Sequence, residues 1–390
     1  MKITGFRSEI YTLKMNRAVA DANLPSGVDV LPASILFIET DENVTGISLG
    51  YGANMENLFP VIEGQDPRNV VELWIKMNDM LHKGGNEGTF SITLSAIDMA
   101  LWDLKAKIAN EPLWRTLGGR EGRVKAYASG QDYCLSDDEL FAFYRRMAEQ
   151  GMDCGKLKVG LDVNADLRRL GIMKDALSVA SDNPGLMVDF NEYLSPKHAI
   201  RYTQKLEQQY DLIWVEEPAR RWDYDGLRQV SKQVKAGVAT AENFKSLDNI
   251  YPLIANQAAD FLNVWGGHSG VTGCRQIAHM AQAHNIPVSM MNCQANFMAQ
   301  VAAALPNHNM MEVVDSGREQ CIKFDSYIDD GYIHLSEAPG WGIEIDEQAL
   351  KNLQQNPATG KGKFPFPRRD GAGRYIVPPE PGEVPWKLGE

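Results

Sequence analysis

Three carboxylates recur at nearly equal intervals along the chain, each directly after a short apolar run. They are Asp189, Glu216 and Glu242. Any one of them alone is more often a helix N-cap after a strand, but the regular spacing of three favours a shared site. Three such charges in a low-dielectric pocket repel one another unless a cation compensates them. Because the oxygens are hard ligands with no Cys or His beside them, we predict a Mg²⁺ site, which Mn²⁺ would fit nearly as well.

A pair of lysines, Lys156 and Lys158, ends another apolar run upstream of these carboxylates. Side chains alternate along a strand, so the two ammonium groups point to the same side. If they pointed outward, they would be ordinary solvated lysines. If they pointed inward, they would place two positive charges beside the three carboxylates.

Eight short apolar strands, each followed by an amphipathic helical segment, must position these residues. Strands that alternate so regularly with helices are parallel, because each crossover returns the chain to the same edge of the sheet. Eight such units predict an α/β fold with a closed (β/α)8 barrel, and the carboxyl ends of its strands form the mouth where catalytic residues lie. The predicted strands cover residues 124–129, 154–159, 186–190, 212–216, 237–242, 260–265, 287–291 and 310–314.

The first part of the chain carries a different pattern, which predicts a separate α+β domain. Alternating strands at 3–13, 34–40 and 45–52 precede a stretch of helical apolar spacing at 69–108. The segment 15–32 between the first two strands is polar and contains many small residues, so we predict a mobile loop there. From about residue 354 the chain is rich in Pro and Gly, and we expect this part to lie on the surface or on the first domain.

Composition excludes several classes of protein. The 390 residues are 44% hydrophobic and 23% charged, and no apolar run reaches the roughly 18 residues of a membrane span. A net charge of −12 argues against nucleic-acid binding, and we interpret the basic stretch 361–369 as solvated surface. Five scattered cysteines without a CxxC pair argue against a disulfide framework or a zinc site. We expect a cytoplasmic protein, because the first residues lack a signal-peptide pattern. The net charge and the absence of a membrane span lead us to expect that it binds neither nucleic acid nor membrane.

Taken together, these features resemble the enolase superfamily, and within it the mandelate racemase and muconate lactonizing enzyme branch. The resemblance covers nearly the whole chain, and the set of motifs is specific although each alone is weak. Besides the two lysines and the three carboxylates, it rests on Ala96-Ile97-Asp98-Met99-Ala100-Leu101-Trp102-Asp103, Leu117-Gly118-Gly119, Gly270-Val271-Thr272-Gly273 and Pro339-Gly340-Trp341-Gly342.

The resemblance implies a fold with three parts and a specific chemistry. We expect an N-terminal α+β capping domain (1–123), a modified (β/α)8 TIM barrel (124–320) and a C-terminal segment (321–390) that packs back on the capping domain. In the family, Mg²⁺ is held by residues that match Asp189, Glu216 and Glu242, and a proton α to a carboxylate is abstracted. The metal neutralises the second negative charge that develops on the resulting enediolate.

The resemblance also assigns roles to the two lysines. Lys158 is the expected base, and Lys156 assists through its charge. A neighbouring cation lowers the pKa of a lysine, so one of the two could be neutral near pH 7.

The sequence departs from the family where a second base is expected. One family pattern places an Asp–His pair on strands six and seven, and another places a Lys on strand six. The matching positions here hold Trp265 and Met291. The nearest titratable group is His268, three residues further on, which is a candidate proton donor, a loop residue or a substrate contact.

Further residues are expected to contact the substrate. The resemblance places Glu312 against the substrate carboxylate or enediolate in its protonated form. We expect Asn191, Trp265, Met291 and Asn292 to line the same pocket.

Three functions fit the sequence. The first is a Mg²⁺-dependent lyase that removes water from a hydroxy acid, such as a sugar acid, because one lysine can serve as both base and acid in a syn elimination. The second is a racemase, epimerase or cycloisomerase of a carboxylate substrate. The third is a catalytically silent binding protein, which the intact set of Lys158 and three carboxylates disfavours. In each case we expect a homo-oligomer that takes a small-molecule carboxylate.

Overall fold

The structure is a computed structural model that describes residues 1–83, 87–244, 246–268 and 270–374. Its N-terminal sheet has three antiparallel strands in the order β1-β2-β3. The strands are β1 (Ile3–Asp21), β2 (Leu24–Thr40) and β3 (Thr45–Ser48), and the helices are α1 (Met55–Ile62), α2 (Val70–Met80), α3 (Gly88–Ala109) and α4 (Leu113–Thr116). Helix α3 is apolar on most of its faces, so it is buried along most of its length.

The segment 15–32, predicted as a mobile loop, is a β-hairpin, so that prediction was wrong. Strands β1 and β2 continue through it, Val19 pairs with Val28, and Asp21 pairs with Leu24 at the tip. Register shifts interrupt this end of the ladder. Polar and small residues do not give the apolar alternation that predicts a strand. The hairpin forms nevertheless, because pairing with the neighbouring strand satisfies the backbone groups of these residues.

Eight parallel strands form a closed barrel, as predicted. Each strand pairs with the next, and the last pairs with the first. The strands are β4 (Arg123–Ser129), β5 (Cys154–Lys158), β6 (Gly185–Asp189), β7 (Leu212–Glu216), β8 (Gly237–Thr240), β9 (Phe261–Val264), β10 (Val288–Met290) and β11 (His308–Val313). The helices that connect them are α5 (Asp137–Glu149), α6 (Val163–Leu177), α7 (Pro196–Leu206), α8 (Tyr224–Gln233), α9 (Ile250–Ala255), α10 (Gly270–Gln282) and α11 (Ala299–Ala302).

Large side chains fill the barrel below its mouth. Tyr127, Met187, Trp214 and Met310 form a buried cluster inside the ring of strands. The indole of Trp214 packs edge-on against Tyr127, with ring centroids 5.5 Å apart. Because this packed layer closes the interior, polar side chains at the strand ends face only the mouth.

The last described part of the chain returns to the N-terminal sheet. Strands β12 (Ile322–Phe324) and β15 (Ile343–Ile345) pair with each other, while β13 (Tyr327–Asp329) and β14 (Tyr332–His334) extend the barrel sheet beside β4. Helix α12 (Glu347–Gln355) lies near β1, where Glu347 forms an ion pair with Arg7. Residues 375–390 of the predicted C-terminal segment lie outside the described residues.

The basic stretch 361–369 is only partly the solvated surface that we predicted. Lys361 and Lys363 are exposed, but Arg368 is half-buried. Its guanidinium donates hydrogen bonds to the backbone carbonyls of Glu192 and Tyr193, which follow β6. The sequence could not show this, because the partners are backbone atoms more than 170 residues away.

No helix within the described residues is both long and apolar enough to cross a membrane.

A buried aspartate joins the N-terminal domain to the barrel. Asp98 on α3 accepts hydrogen bonds from the backbone N–H of Thr272, at 2.9 Å, and from its hydroxyl, at 2.6 Å. Thr272 lies in the first turn of α10, so the carboxylate satisfies an N–H that the helix itself leaves unpaired. Trp102, one turn further along α3, donates its indole N–H to the same hydroxyl.

We predict that Asp98→Ala lowers the free energy of unfolding by about 1–3 kcal/mol at pH 5, because it leaves the Thr272 groups without a partner. Burial raises the pKa of Asp98 from 3.8 to about 7. The folded state therefore binds this proton more tightly than the unfolded state, and the contribution of Asp98 to stability declines as the pH rises through 7. Urea unfolding at pH 5 and pH 8 measures both effects. The exposed Asp79→Ala on α2 is the control, and equal losses in the two variants would contradict the prediction.

Candidate active site

Three strand ends bring the predicted carboxylates together. Asp189 ends β6, Glu216 ends β7, and Glu242 follows β8 by two residues. Carboxylate oxygens of all three lie within 4.8 Å of one another. The parallel register explains this proximity, because Asp189 pairs directly with Glu216 across the two strands.

The carboxylates are poorly compensated by the protein's own charges. Burial is the largest cause that raises the pKa of Glu216; with the charges of Asp189 and Glu242, and against the opposing charge of Lys156, the pKa becomes about 8. Burial and the charge of Glu312 likewise raise the pKa of Glu242. A cluster of hard oxygen donors whose negative charges destabilise one another fits a divalent cation such as Mg²⁺ or Mn²⁺.

Both lysines point into the barrel mouth. The Nζ atom of Lys158 lies 2.5 Å from Asp189 Oδ2, and that of Lys156 lies 2.6 Å from Glu216 Oε1. Burial lowers the pKa of each lysine, but the surrounding carboxylates outweigh burial and raise it above its ordinary value. Lys156 lowers the pKa of Lys158, as predicted for a neighbouring cation, but the carboxylates outweigh it, so the predicted neutral lysine is not favoured among the protein's own charges. A cation on the carboxylates would offset the charges that hold protons on the lysines.

A buried network behind β5 fixes the backbone of both lysines, and sequence reasoning missed it. Arg169 donates a hydrogen bond to the carbonyl of Lys158 at 2.8 Å, and the N–H of Lys158 donates to Asp132 at 3.2 Å. Arg169 also pairs with Asp132 itself. Tyr144 donates to the carbonyl of Lys156 at 2.5 Å. The sequence shows only an Arg in the helical segment that forms α6. Its burial and its partners in two other elements become apparent only in the structure.

Glu312 on β11 faces the same cluster, and its expected protonated form is wrong for this arrangement. Its Oε1 lies 3.0 Å from the Nζ of Lys156, and its Oε2 accepts from the side chain of Asn292 at 2.5 Å. Burial raises the pKa of Glu312, but Lys156 and Lys158 outweigh burial and lower it to about 2. The two lysines therefore favour the ionised form of Glu312, which forms an ion pair with Lys156.

Trp265, Met291 and His268 do not share one environment. Trp265 and Met291 follow β9 and β10 and line the cavity described below. His268 is buried, and its Nδ1 accepts a hydrogen bond from the backbone N–H of Trp265 at 3.3 Å. Within the described residues His268 does not line the cavity, so the structure does not place it beside the lysines.

A cavity of about 470 Å³ lies over the barrel mouth. Six of the predicted residues line it: Lys158, Asn191, Glu242, Trp265, Met291 and Asn292. The hairpin tip and residues 364–368 cover it from above. Sequence reasoning missed several lining residues, namely Asp21, Asn23, Gln131, Arg220, Arg221 and Arg318. They come from loops and from the hairpin, where no strand periodicity marks them.

Comparison with known proteins matches two family descriptions to this chain. Residues 30–118 match the mandelate racemase / muconate lactonizing enzyme N-terminal domain, and residues 139–349 match the enolase C-terminal domain-like family. The 3,6-anhydro-alpha-L-galactonate cycloisomerase of Streptomyces coelicolor is 26% identical, over 89% of this chain and 98% of the relative. The L-talarate/galactarate dehydratase of Salmonella typhimurium is 28% identical, over 80% of this chain and 78% of the relative.

A solved structure shows the same architecture. A racemase from Streptomyces coelicolor with bound magnesium superposes with a TM-score of 0.82 at 26% identity, and the match covers 90% of this chain and 99% of that one.

We predict that Asp189→Asn and Glu242→Gln each weaken Mn²⁺ binding by at least about tenfold, because each removes one anionic ligand from the cluster. The loss should leave the fold intact, since the barrel core is apolar. Electron paramagnetic resonance titration of free Mn²⁺ measures the affinity, and circular dichroism checks the fold. The exposed Glu63→Gln, directly after α1, is the control. Unchanged affinity in both site variants would contradict a metal role.

Proposed function

We propose that this chain, which belongs to the mandelate racemase and muconate lactonizing enzyme branch of the enolase superfamily, is a Mg²⁺-dependent hydro-lyase. Its substrate would be a small hydroxy acid, most simply a sugar acid, from which it removes the α-proton and then the β-hydroxyl as water. The observation that carries the proposal is the placement of Lys158 and Glu242 on one cavity, with Asp189 within 2.5 Å of the lysine.

Lys158 is the group that we assign to proton removal. A proton α to a carboxylate is very weakly acidic, because its loss adds a second negative charge to the same group. When bound to the three carboxylates, the divalent cation supplies positive charge where that second charge develops. Lys156 adds further positive charge, and the contacts of Arg169 and Tyr144 with the lysine carbonyls fix the direction from which both side chains approach.

The cavity walls favour elimination over racemisation. Two-base racemisation needs a base on each face of the enediolate. At the two positions that usually supply the second base, this chain has Trp265 and Met291. A racemase, epimerase or cycloisomerase remains the second candidate, because the cycloisomerase relative matches nearly the whole chain and the walls made by these residues suit a less polar substrate.

Other predicted residues keep secondary roles in the proposal. Asn191 and Asn292 would contact the substrate, and Glu312 would hold Lys156 in place. His268 would act on the substrate only if the loop that carries it moved into the cavity. We further propose the division at residues 123 and 320 into capping domain, barrel and C-terminal segment, a cytoplasmic location and a homo-oligomeric assembly.

A library of sugar acids, incubated with the enzyme and Mg²⁺ in deuterated water, tests the proposal. We expect a 2-keto acid from at least one member. Deuterium exchange at the α-carbon without elimination would instead support the isomerase candidate. If no member of the library showed either 2-keto acid formation or deuterium exchange, both candidates would be overturned.

We predict that Lys158→Ala lowers both turnover and α-deuterium exchange by roughly 10² to 10⁴-fold, because no base remains at that position. Product formation and nuclear magnetic resonance of the recovered substrate measure the two rates. The exposed Lys174→Ala on α6 is the matched control and should keep wild-type activity.

The variant His268→Asn checks the side from which the proton is removed. Asn retains an acceptor for the backbone N–H of Trp265, so the loop should stay folded. We expect exchange to survive in this variant. Exchange that persists in Lys158→Ala but disappears in His268→Asn would show that the base is on the other side of the barrel.

A further inference from the structure

We propose that Asp21, at the tip of the N-terminal hairpin, is the catalytic acid that donates a proton to the departing β-hydroxyl. This inference rests on the proposed function, because it needs an α-proton to be removed and a hydroxyl to leave. It makes the hairpin part of the catalytic machinery as well as a cover for the cavity.

The hairpin tip is fixed directly above the strand that carries Lys158. The N–H of Ala20 donates to the carbonyl of Gln131, just beyond β4, at 2.8 Å. The side chain of Asn23 donates to the carbonyl of Asn191, just beyond β6, at 3.0 Å. Strand β5 lies between β4 and β6. Asp21, between these two anchor points, therefore lies over the end of β5.

The position of Ala22 beside Gly160 supports this placement. A Cβ atom added to Gly160, two residues after Lys158, would lie 3.7 Å from the Cβ of Ala22. The residue that follows Asp21 therefore lies beside the loop that follows the lysine. Asp21 and Lys158 also line the same cavity.

One oxygen of the Asp21 carboxyl is committed to the turn and the other is not. Oδ1 accepts hydrogen bonds from the backbone N–H groups of Asn23, at 2.7 Å, and Leu24, at 3.2 Å. Within the described residues Oδ2 has no hydrogen-bond partner, so it is available to a group in the cavity. The turn therefore holds the carboxyl in a fixed position and leaves one oxygen for chemistry.

The other carboxyls of the cavity are already engaged. Four carboxylic side chains line it: Asp21, Glu192, Glu217 and Glu242. Glu192 forms an ion pair with Arg221 at 2.5 Å, and both oxygens of Glu217 accept from Asn243. Glu242 belongs to the carboxylate cluster. Among the described lining residues, Asp21 is thus the carboxyl that can donate a proton without breaking an existing pair.

The surroundings of Asp21 favour a carboxyl that retains its proton. Burial raises its pKa, and the negative charge of Asp189 raises it as well, while Lys158 and the turn N–H groups act in the opposite direction. The net result is a pKa above the ordinary aspartate value. This direction suits a general acid, which must be protonated before the hydroxyl leaves.

The step balances with the groups present. Lys158 takes the α-proton, the electron pair of the C–H bond forms the new double bond, and the Cβ–O bond breaks. The Asp21 carboxyl supplies the proton that converts the leaving hydroxyl to water. The products are an enol, which tautomerises to the 2-keto acid, a protonated Lys158 and an ionised Asp21. The lysine proton is released to solvent and Asp21 takes up a proton from it before the next turnover.

The test compares elimination with exchange in Asp21→Asn. Asn keeps an oxygen for the turn hydrogen bonds but cannot act as the acid. With a substrate of the wild-type enzyme in deuterated water, we expect elimination to fall by about 10²-fold or more while α-deuterium exchange survives. A β-fluoro analogue, whose fluoride leaves without being protonated, should be eliminated by Asp21→Asn at a rate within about tenfold of the wild type.

Control variants separate this role from a structural one. Asp29→Asn removes an equivalent charge from the same hairpin, outside the cavity, and should keep wild-type elimination. If Asp21→Asn folds poorly, Asp21→Ser replaces it, because serine also offers an oxygen to the turn. We expect Asp21→Ser to lose elimination while it keeps α-deuterium exchange. Wild-type elimination in Asp21→Asn, or an equal loss of exchange and elimination, would overturn the proposal. A wild-type protein that neither exchanges nor eliminates any sugar acid would overturn the proposed function instead, and with it the role of Asp21.

Discussion

Charge balance in the barrel mouth determines where the side chains of the site must be held. Two ammonium groups, on Lys156 and Lys158, face four carboxylates, on Asp189, Glu216, Glu242 and Glu312, above a packed apolar layer. Buried ions are costly unless they are paired, so each side chain must be held where its partner is. When all four carboxylates are ionised, the two lysines leave two negative charges uncompensated, which equals the charge of one divalent cation. The strand register and the network around Arg169 both serve to hold this arrangement.

Much of the barrel could be predicted from the sequence, because its signals are local and repeated. Each strand is a short apolar run, and the repeat of strand and helix places the last residues of successive strands side by side. The sequence pattern alone therefore predicts that Asp189 and Glu216 share one site. The inward direction of Lys156 and Lys158 was one of two alternatives, and only the packing around β5 decides between them.

The parts that sequence reasoning could not supply depend on contacts between distant segments. Nothing local in the hairpin marks Asp21 as a cavity residue, since its position follows from hydrogen bonds to the loops after β4 and β6. The ionisation of Glu312 follows from the ammonium group of Lys156, nearly half the chain away. Arg368 lies in a stretch that reads as solvated surface, yet its guanidinium binds carbonyls beyond β6. The polarity of the local sequence therefore did not predict the position of a side chain whose hydrogen-bond or ion-pair partner is distant in the sequence.

The segment that crosses above the cavity adds a second connection between the hairpin and the loop after β6, besides the hydrogen bond from Asn23 to Asn191. The backbone N–H of Arg369 donates to the side chain of Asn23 on the hairpin, while Arg368 binds the loop after β6. A substrate that entered between the hairpin and this segment would disturb contacts of both, because Asn23 and Arg369 are hydrogen-bonded to each other. Admission of substrate and escape of product would then share one cooperative opening, and its frequency would set an upper limit on turnover. Evolutionary change in the length of either element would be constrained by the other.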